Sequence, residues 1–151
     1  MISEKELRYH HWANERLLNH LAALGGEIFL KNVTSVFPSL AAVFEHIYTV
    51  DRTWIQRMIG DNGTIEEVKF ETPAMAIPYF ENNMQQLLEL RKREDIVSYQ
   101  NSKGEEFQNG VQEILRHLLN HGTYHRGNVS AILHQLGEKS ISTDYIFYLR
   151  E

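Results

Sequence analysis

The sequence has 151 residues, enough for one domain whose core buries much of the chain without a disulfide or metal staple. Hydrophobic residues make up 42% and charged residues 23%, the balance of a globular protein, and the absence of cysteine excludes disulfides, thiolate ligands and a cysteine nucleophile. The formal net charge is -5, and the best basic cluster, Arg91, Lys92 and Arg93, is surrounded by Glu89, Glu94 and Asp95, so no nucleic-acid partner is expected. No apolar run approaches the ~18 residues of a membrane span, and the amino terminus mixes acids and bases unlike a signal or transit peptide. The expectation is a cytoplasmic protein with no membrane partner. Its unusual feature is eight histidines.

In chain order, Ser3 and Glu6 form a Ser-x-x-Glu capping box. Behind it, Tyr9, Trp12, Ala13, Leu17, Leu21 and Leu24 recur at helical spacing, and Gly25-Gly26 stops the first helix. Pro38 fits the first turn of a second helix, whose stripe is Leu40, Val43, Phe44, Ile47, Val50, Trp54 and Met58. Residues 60–63, Gly-Asp-Asn-Gly, end it. Thr72 and Pro73 open a third helix, with Pro78 either kinking it or marking its start. Its apolar face is Phe80, Met84, Leu87 and Leu88. Residues 96–108 break the helical pattern: Val97 and Tyr99 alternate with polar residues, 101–104 read as a turn, and a short β-hairpin is predicted. A last long helix runs from about Val111 to Leu136 and stops at Gly137. The tail, 138–151, carries Tyr145, Phe147 and Tyr148 and is expected to pack back on the helices. The reading is all-α: residues 1–151 as one domain, an up-and-down four-helix bundle with a hairpin inserted before the last helix.

The last helix contains His117, His121 and His125. Each step of four residues rotates the helix by about 40°, so His121 and His125 share a face, one turn apart. Two imidazoles so placed can converge on one metal ion, as in the His-x-x-x-His of helical zinc sites. His117 lies about 80° from His125 and suits a supporting or interface role better. A third ligand must come from another helix. His46 is the best candidate, since it lies mid-helix beside the apolar stripe of helix two, where an imidazole without partners is costly. His10, His11 and His20 contain no pair spaced by four, and His134 reads as solvent-facing. The plainer reading of each residue is structural: a helical His pair is a weak signal alone, Asp51 reads as a surface acid, Trp54 as a core aromatic, and Tyr124 and Arg126 as helix surface. No histidine has Glu three residues before it and no His-Glu-x-x-His occurs, so a di-iron carboxylate centre and a zincin protease are not expected.

The segments YHHWANERLL (9–18), EHIYTVDRTWIQRMIG (45–60) and HLLNHGTYHRGN (117–128) resemble the DinB family across essentially the whole chain. The most specific element is His121-Gly-Thr-Tyr124-His125-Arg126-Gly127. The resemblance implies a four-helix bundle, often a homodimer, with a metal held by one histidine of helix two and two of helix four. Those positions fall on His46, His121 and His125. Asn128 stands where many relatives have Gln. The ion implied is divalent, zinc or nickel first among those that imidazole suits.

Three neutral imidazoles leave a coordination position open, the pattern of a catalytic rather than a closed structural zinc site. An open position can activate water for hydrolysis or bind a thiol and deprotonate it. The wider superfamily that this family resembles includes low-molecular-weight thiol S-transferases. The expectation is therefore a metal-dependent transferase taking a small thiol cosubstrate and an electrophile. The alternatives are a metal-dependent hydrolase and a non-catalytic metal-binding stress-response module. No catalytic side chain is assigned.

Overall fold

In α1 (Glu4–Leu24), Ser3 Oγ accepts from the Glu6 backbone N–H at 3.2 Å while the Glu6 carboxylate accepts from the Ser3 N–H at 2.8 Å, so the expected capping box is formed. The computed structural model describes residues 1–151. A single short turn, α2 (Glu27–Leu30), follows Gly25 and buries Phe29; the sequence reading did not expect it. In α3 (Leu40–Ile59) the cap is Ser39, whose Oγ accepts from the Ala42 N–H at 3.2 Å. Pro38 thus sits just outside the helix, where its carbonyl accepts from Val33 N–H at 2.9 Å.

Residues 60–72 run back along the bundle instead of turning tightly. Their far end is tied to the start of α3: the Glu45 carboxylate accepts from the Phe70 N–H at 2.9 Å and pairs with Lys69 at 3.2 Å. Consequently α4 (Pro73–Leu90) starts beside the start of α3. Thr72 caps it, Pro73 takes its first turn, and Pro78 lies inside the helix rather than at its start. The hairpin is β1 (Ile96–Gln100) against β2 (Glu106–Gly110), antiparallel with Tyr99 opposite Phe107. It feeds directly into α5 (Val111–Gln135), and Gly137, with φ 79°, follows that helix end. A final turn, α6 (Tyr145–Tyr148), lays Tyr145 and Tyr148 against Tyr9, with ring centroids 4.9 and 5.9 Å apart.

The four long helices form the expected bundle with the hairpin before the last of them. α1 packs on α4 and α5, and α3 packs on the same two. The Ile2 N–H donates to Gln112 at the start of α5, and Glu4 pairs with Arg91 at the end of α4. The senses are therefore up for α1, down for α3 and α4, and up for α5, which departs from the expected up-and-down alternation because residues 60–72 return along α3. Two apolar clusters fill the ends: Leu17, Phe29, Phe44, Phe80 and Leu133 belong to one, and Leu7, Ile55, Leu87, Leu115 and Leu118 to the other. Along every long helix the residues between these clusters include buried polar groups: His10 and Asn14 on α1, Asp51 on α3, Asn83 on α4, His125 and Arg126 on α5. The bundle has a polar waist between two apolar halves. None of its helices is long and apolar enough to cross a membrane.

Candidate metal centre

At that waist α3 and α5 face each other in opposite senses and bring three imidazoles together. His46 Nε2 lies 3.1 Å from His121 Nε2 and 3.2 Å from His125 Nε2. One nitrogen from each ring falls within 4.8 Å of the others. Four-residue spacing on α5 stacks His121 over His125, and His46 closes the triangle from α3. His125 is 9% exposed, while His46 and His121 are half-buried. The Phe37 ring covers the cluster, with centroids 5.3 Å from His46 and 5.4 Å from His125.

The donor chemistry fits a divalent ion. Two nitrogens at about 2.0–2.1 Å from a tetrahedral metal are about 3.3 Å apart, close to the separations found. Protons satisfy the arrangement poorly. His46 Nε2 holds at most one hydrogen yet contacts two other ring nitrogens, so at most one of those contacts is a well-formed two-centre hydrogen bond. His125 Nδ1 donates to Asn128 Oδ1 at 3.0 Å, which leaves the Nε2 lone pair pointing into the triangle. Asn128 thus fixes the tautomer and tilt of one candidate ligand. His121 Nδ1 is buried without a partner.

Burial, then the neighbouring His125 and His46, push His121 down to about 3; burial and His125 likewise lower His46. In the metal-free protein the unfolded chain therefore binds more protons than the folded one between the ordinary histidine value of 6.5 and about 3. Stability is full above that window and falls as pH drops through it. Denaturant midpoints of the metal-free chain are expected to decline steadily from pH 7 to pH 4. Replacing His121 by Gln should flatten that decline. A midpoint independent of pH in the parent would contradict the geometry.

His117 stays outside the triangle, exposed, with its ring 5.7 Å from His121 and edge-on to Trp54 at 5.5 Å. His20 and His134 are remote from the cluster: His20 bonds the Lys139 carbonyl at 2.7 Å and His134 is exposed. Tyr124 is 73% exposed, as expected of helix surface. Two other expectations fail. Asp51, read as a surface acid, is 1% exposed, and its Oδ2 lies 2.9 Å from His10 Nε2. Arg126, read as helix surface, is 2% exposed and donates to Asn14 Oδ1 and Thr123 Oγ1, each at 3.0 Å. Asp51 falls in register with the buried Ile47, Ile55 and Met58, and His10 and Asn14 fall in register with Leu7 and Leu17. That register was the available signal, because a polar residue on a core stripe must find polar partners. Gly122 makes the room: a Cβ there would clash with the His10 ring.

The structure is thus that of a helical-bundle protein with a three-histidine cluster between its second and fourth long helices. The chain belongs to the DinB family, whose profile matches residues 2–151. It is 36% identical over 158 residues to Protein DinB of Bacillus subtilis (strain 168), covering 96% of this chain and 92% of that one. A crystal structure assigned to the same family, from Exiguobacterium sibiricum 255-15, shares the fold with a TM-score of 0.63 at 15% identity, over 95% of this chain and 99% of that one.

Proposed function

We propose that His46, His121 and His125 hold one divalent ion, zinc or nickel, and that the protein uses it to transfer a small cosubstrate thiol to an electrophile. The observation that carries this reading is the triangle itself: three neutral nitrogens at ligand separations, with no carboxylate in the cluster to complete a fourth position. A divalent ion held by three neutral donors keeps nearly its whole charge, and so favours an anionic thiolate over a neutral thiol in the open position.

The protein's own groups then have definite parts. Asn128 orients His125, and Phe37 shields one side of the cluster from water. The chain has no cysteine, so the sulfur comes from a cosubstrate. In the transfer, sulfur forms a bond to the electrophilic carbon as that carbon's bond to its leaving group breaks, and the thiol proton passes to solvent. The family resemblance supports a homodimer as the working form.

The test is cobalt substitution. Thiol added to the cobalt-loaded protein is expected to produce an intense sulfur-to-metal charge-transfer band in the near ultraviolet, weakening as pH falls because thiol and imidazoles must be deprotonated to bind metal. A spectrum indifferent to millimolar thiol at neutral pH would leave hydrolysis or a non-catalytic metal-binding module as the reading. Metal removal is a separate matter. Because neither apolar cluster draws on the three histidines, chelation should lower the melting temperature yet leave the helical circular dichroism intact, unlike a zinc finger. Collapse to coil would make the site structural.

A further inference from the structure

A cleft of about 1550 Å³ opens between the carboxyl end of α3 and the β-hairpin. It is polar, and its one cation is Arg57. The Arg57 guanidinium lies 4.5 Å from the Trp54 ring centroid and 4.8 Å from that of Tyr99, and one amino group donates to the Gln100 carbonyl at 3.2 Å. Arg57 belongs to none of the chain's ion pairs. Two aromatic rings and a carbonyl therefore hold a charged fork in place, while its remaining N–H groups have no acceptor on the protein. Stacking of this kind pre-orders the side chain, and a planar, pre-ordered fork matches a carboxylate in bidentate geometry.

A row of half-buried side chains leads from the cleft towards the histidine triangle. On α3, His46, Val50, Trp54 and Arg57 follow each other at helical spacing and are all half-buried. On α5, His117 bridges the two ends, its ring 5.5 Å from Trp54 and 5.7 Å from His121. Arg57 reaches back over Trp54, eight residues beyond His46, which places its charge about 12 Å along the helix from the triangle. Asp61 and Glu106 line the cleft as well, neither in an ion pair, and the Asp61 carboxylate accepts from the Gly63 N–H at 2.8 Å. Two carboxylates beside one cation oppose a phosphate dianion about twice as strongly as a singly charged carboxylate, so the guest is the carboxylate and its hold is the bidentate fork, not the net charge of the cleft.

We propose that the Arg57 cleft is a second subsite for the same substrate: it binds the carboxylate end of an elongated ligand whose other end coordinates the metal at His46, His121 and His125. This inference rests on the metal reading above, not on the thiol chemistry. A carboxylate-bearing thiol of about tripeptide size spans the distance.

The test uses the zinc-loaded full chain and sulfur-free probes: imidazolyl-alkanoic acids of increasing chain length and their matched primary amides, titrated by calorimetry. Zinc content is measured first. At the length that spans about 12 Å, the acid is expected to bind roughly tenfold tighter than its amide, and at short lengths the ratio should approach one. Arg57→Gln should bring the spanning ratio to about one without changing zinc content or amide affinity, and Arg57→Lys, which keeps charge without the fork, should retain only part of it. Equal binding of acid and amide at every length in the parent protein overturns the subsite whether or not a variant folds. So does a preference that survives in Arg57→Gln, which would assign it to the ion's own charge. A chain that takes up no zinc overturns the metal reading and the subsite together. Since the probes carry no sulfur, a failed thiol experiment leaves this result standing.

Discussion

Replacing His121 or His125 by Ala is expected to abolish metal uptake, taking the content from about one divalent ion per chain to background. The cluster offers three nitrogens and no substitute donor. Each loss leaves two imidazoles, and two neutral ligands hold a divalent ion too weakly to survive gel filtration. His46→Ala should behave alike, because Nε2 of His46 is the atom both other rings approach. His20→Ala and His134→Ala serve as controls, since neither side chain is near the triangle, and should keep full content. Elemental analysis of protein made without an affinity tag reads the result. Full content in His125→Ala would sink the assignment.

Asp51→Ala is expected to give the largest loss of stability among single changes that leave the three histidines in place. Asp51 places a buried carboxyl in the polar waist, with Oδ2 2.9 Å from His10, while the buried Arg126 guanidinium lies 3.5 Å from the other nitrogen of the same ring. Removing the carboxylate leaves a buried imidazole without its partner and a buried cation without its counter-charge. Breaking such a buried arrangement by deleting one member costs about 3–5 kcal/mol. For a domain near 150 residues that corresponds to a melting temperature lowered by roughly 8–15 °C. Replacing Glu94, an exposed acid, by Ala should change it by less than about 2 °C. A comparably small shift in Asp51→Ala would show that the waist carries no net electrostatic stabilisation.

The sequence was most informative where local chemistry decides the outcome. Ser3 with Glu6, Thr72 with Pro73, and Gly137 all end or begin helices where they do because capping is settled within a few residues. The α5 histidines were legible for the same reason: one helix sets their spacing. His46 was harder, since its meeting with them depends on how α3 packs against α5, and there the family resemblance added what periodicity lacked. The senses of the helices escaped the sequence because they depend on where residues 60–72 travel, and only the long-range tie from Glu45 to Phe70 and Lys69 shows that they run back along α3. The polar waist was missed for a related reason. Asp51 and Arg126 read as surface residues because a charged side chain is rarely buried unless paired, and their partners come together only when three helices meet. The Tyr99–Trp54–Arg57 stack likewise exists only once the hairpin folds against α3.

The most direct test of the metal reading is X-ray absorption at the zinc edge of the zinc-loaded protein, recorded with and without a small thiol. The expected spectrum without thiol shows three imidazole nitrogens at about 2.0–2.1 Å plus a light atom, and with thiol the light atom gives way to one sulfur at about 2.3 Å. A first shell dominated by carboxylate or water oxygens, lacking the outer-shell scattering of imidazole rings, would contradict the three-histidine centre. An imidazole shell unchanged by thiol would keep the centre and end the thiol-transfer reading.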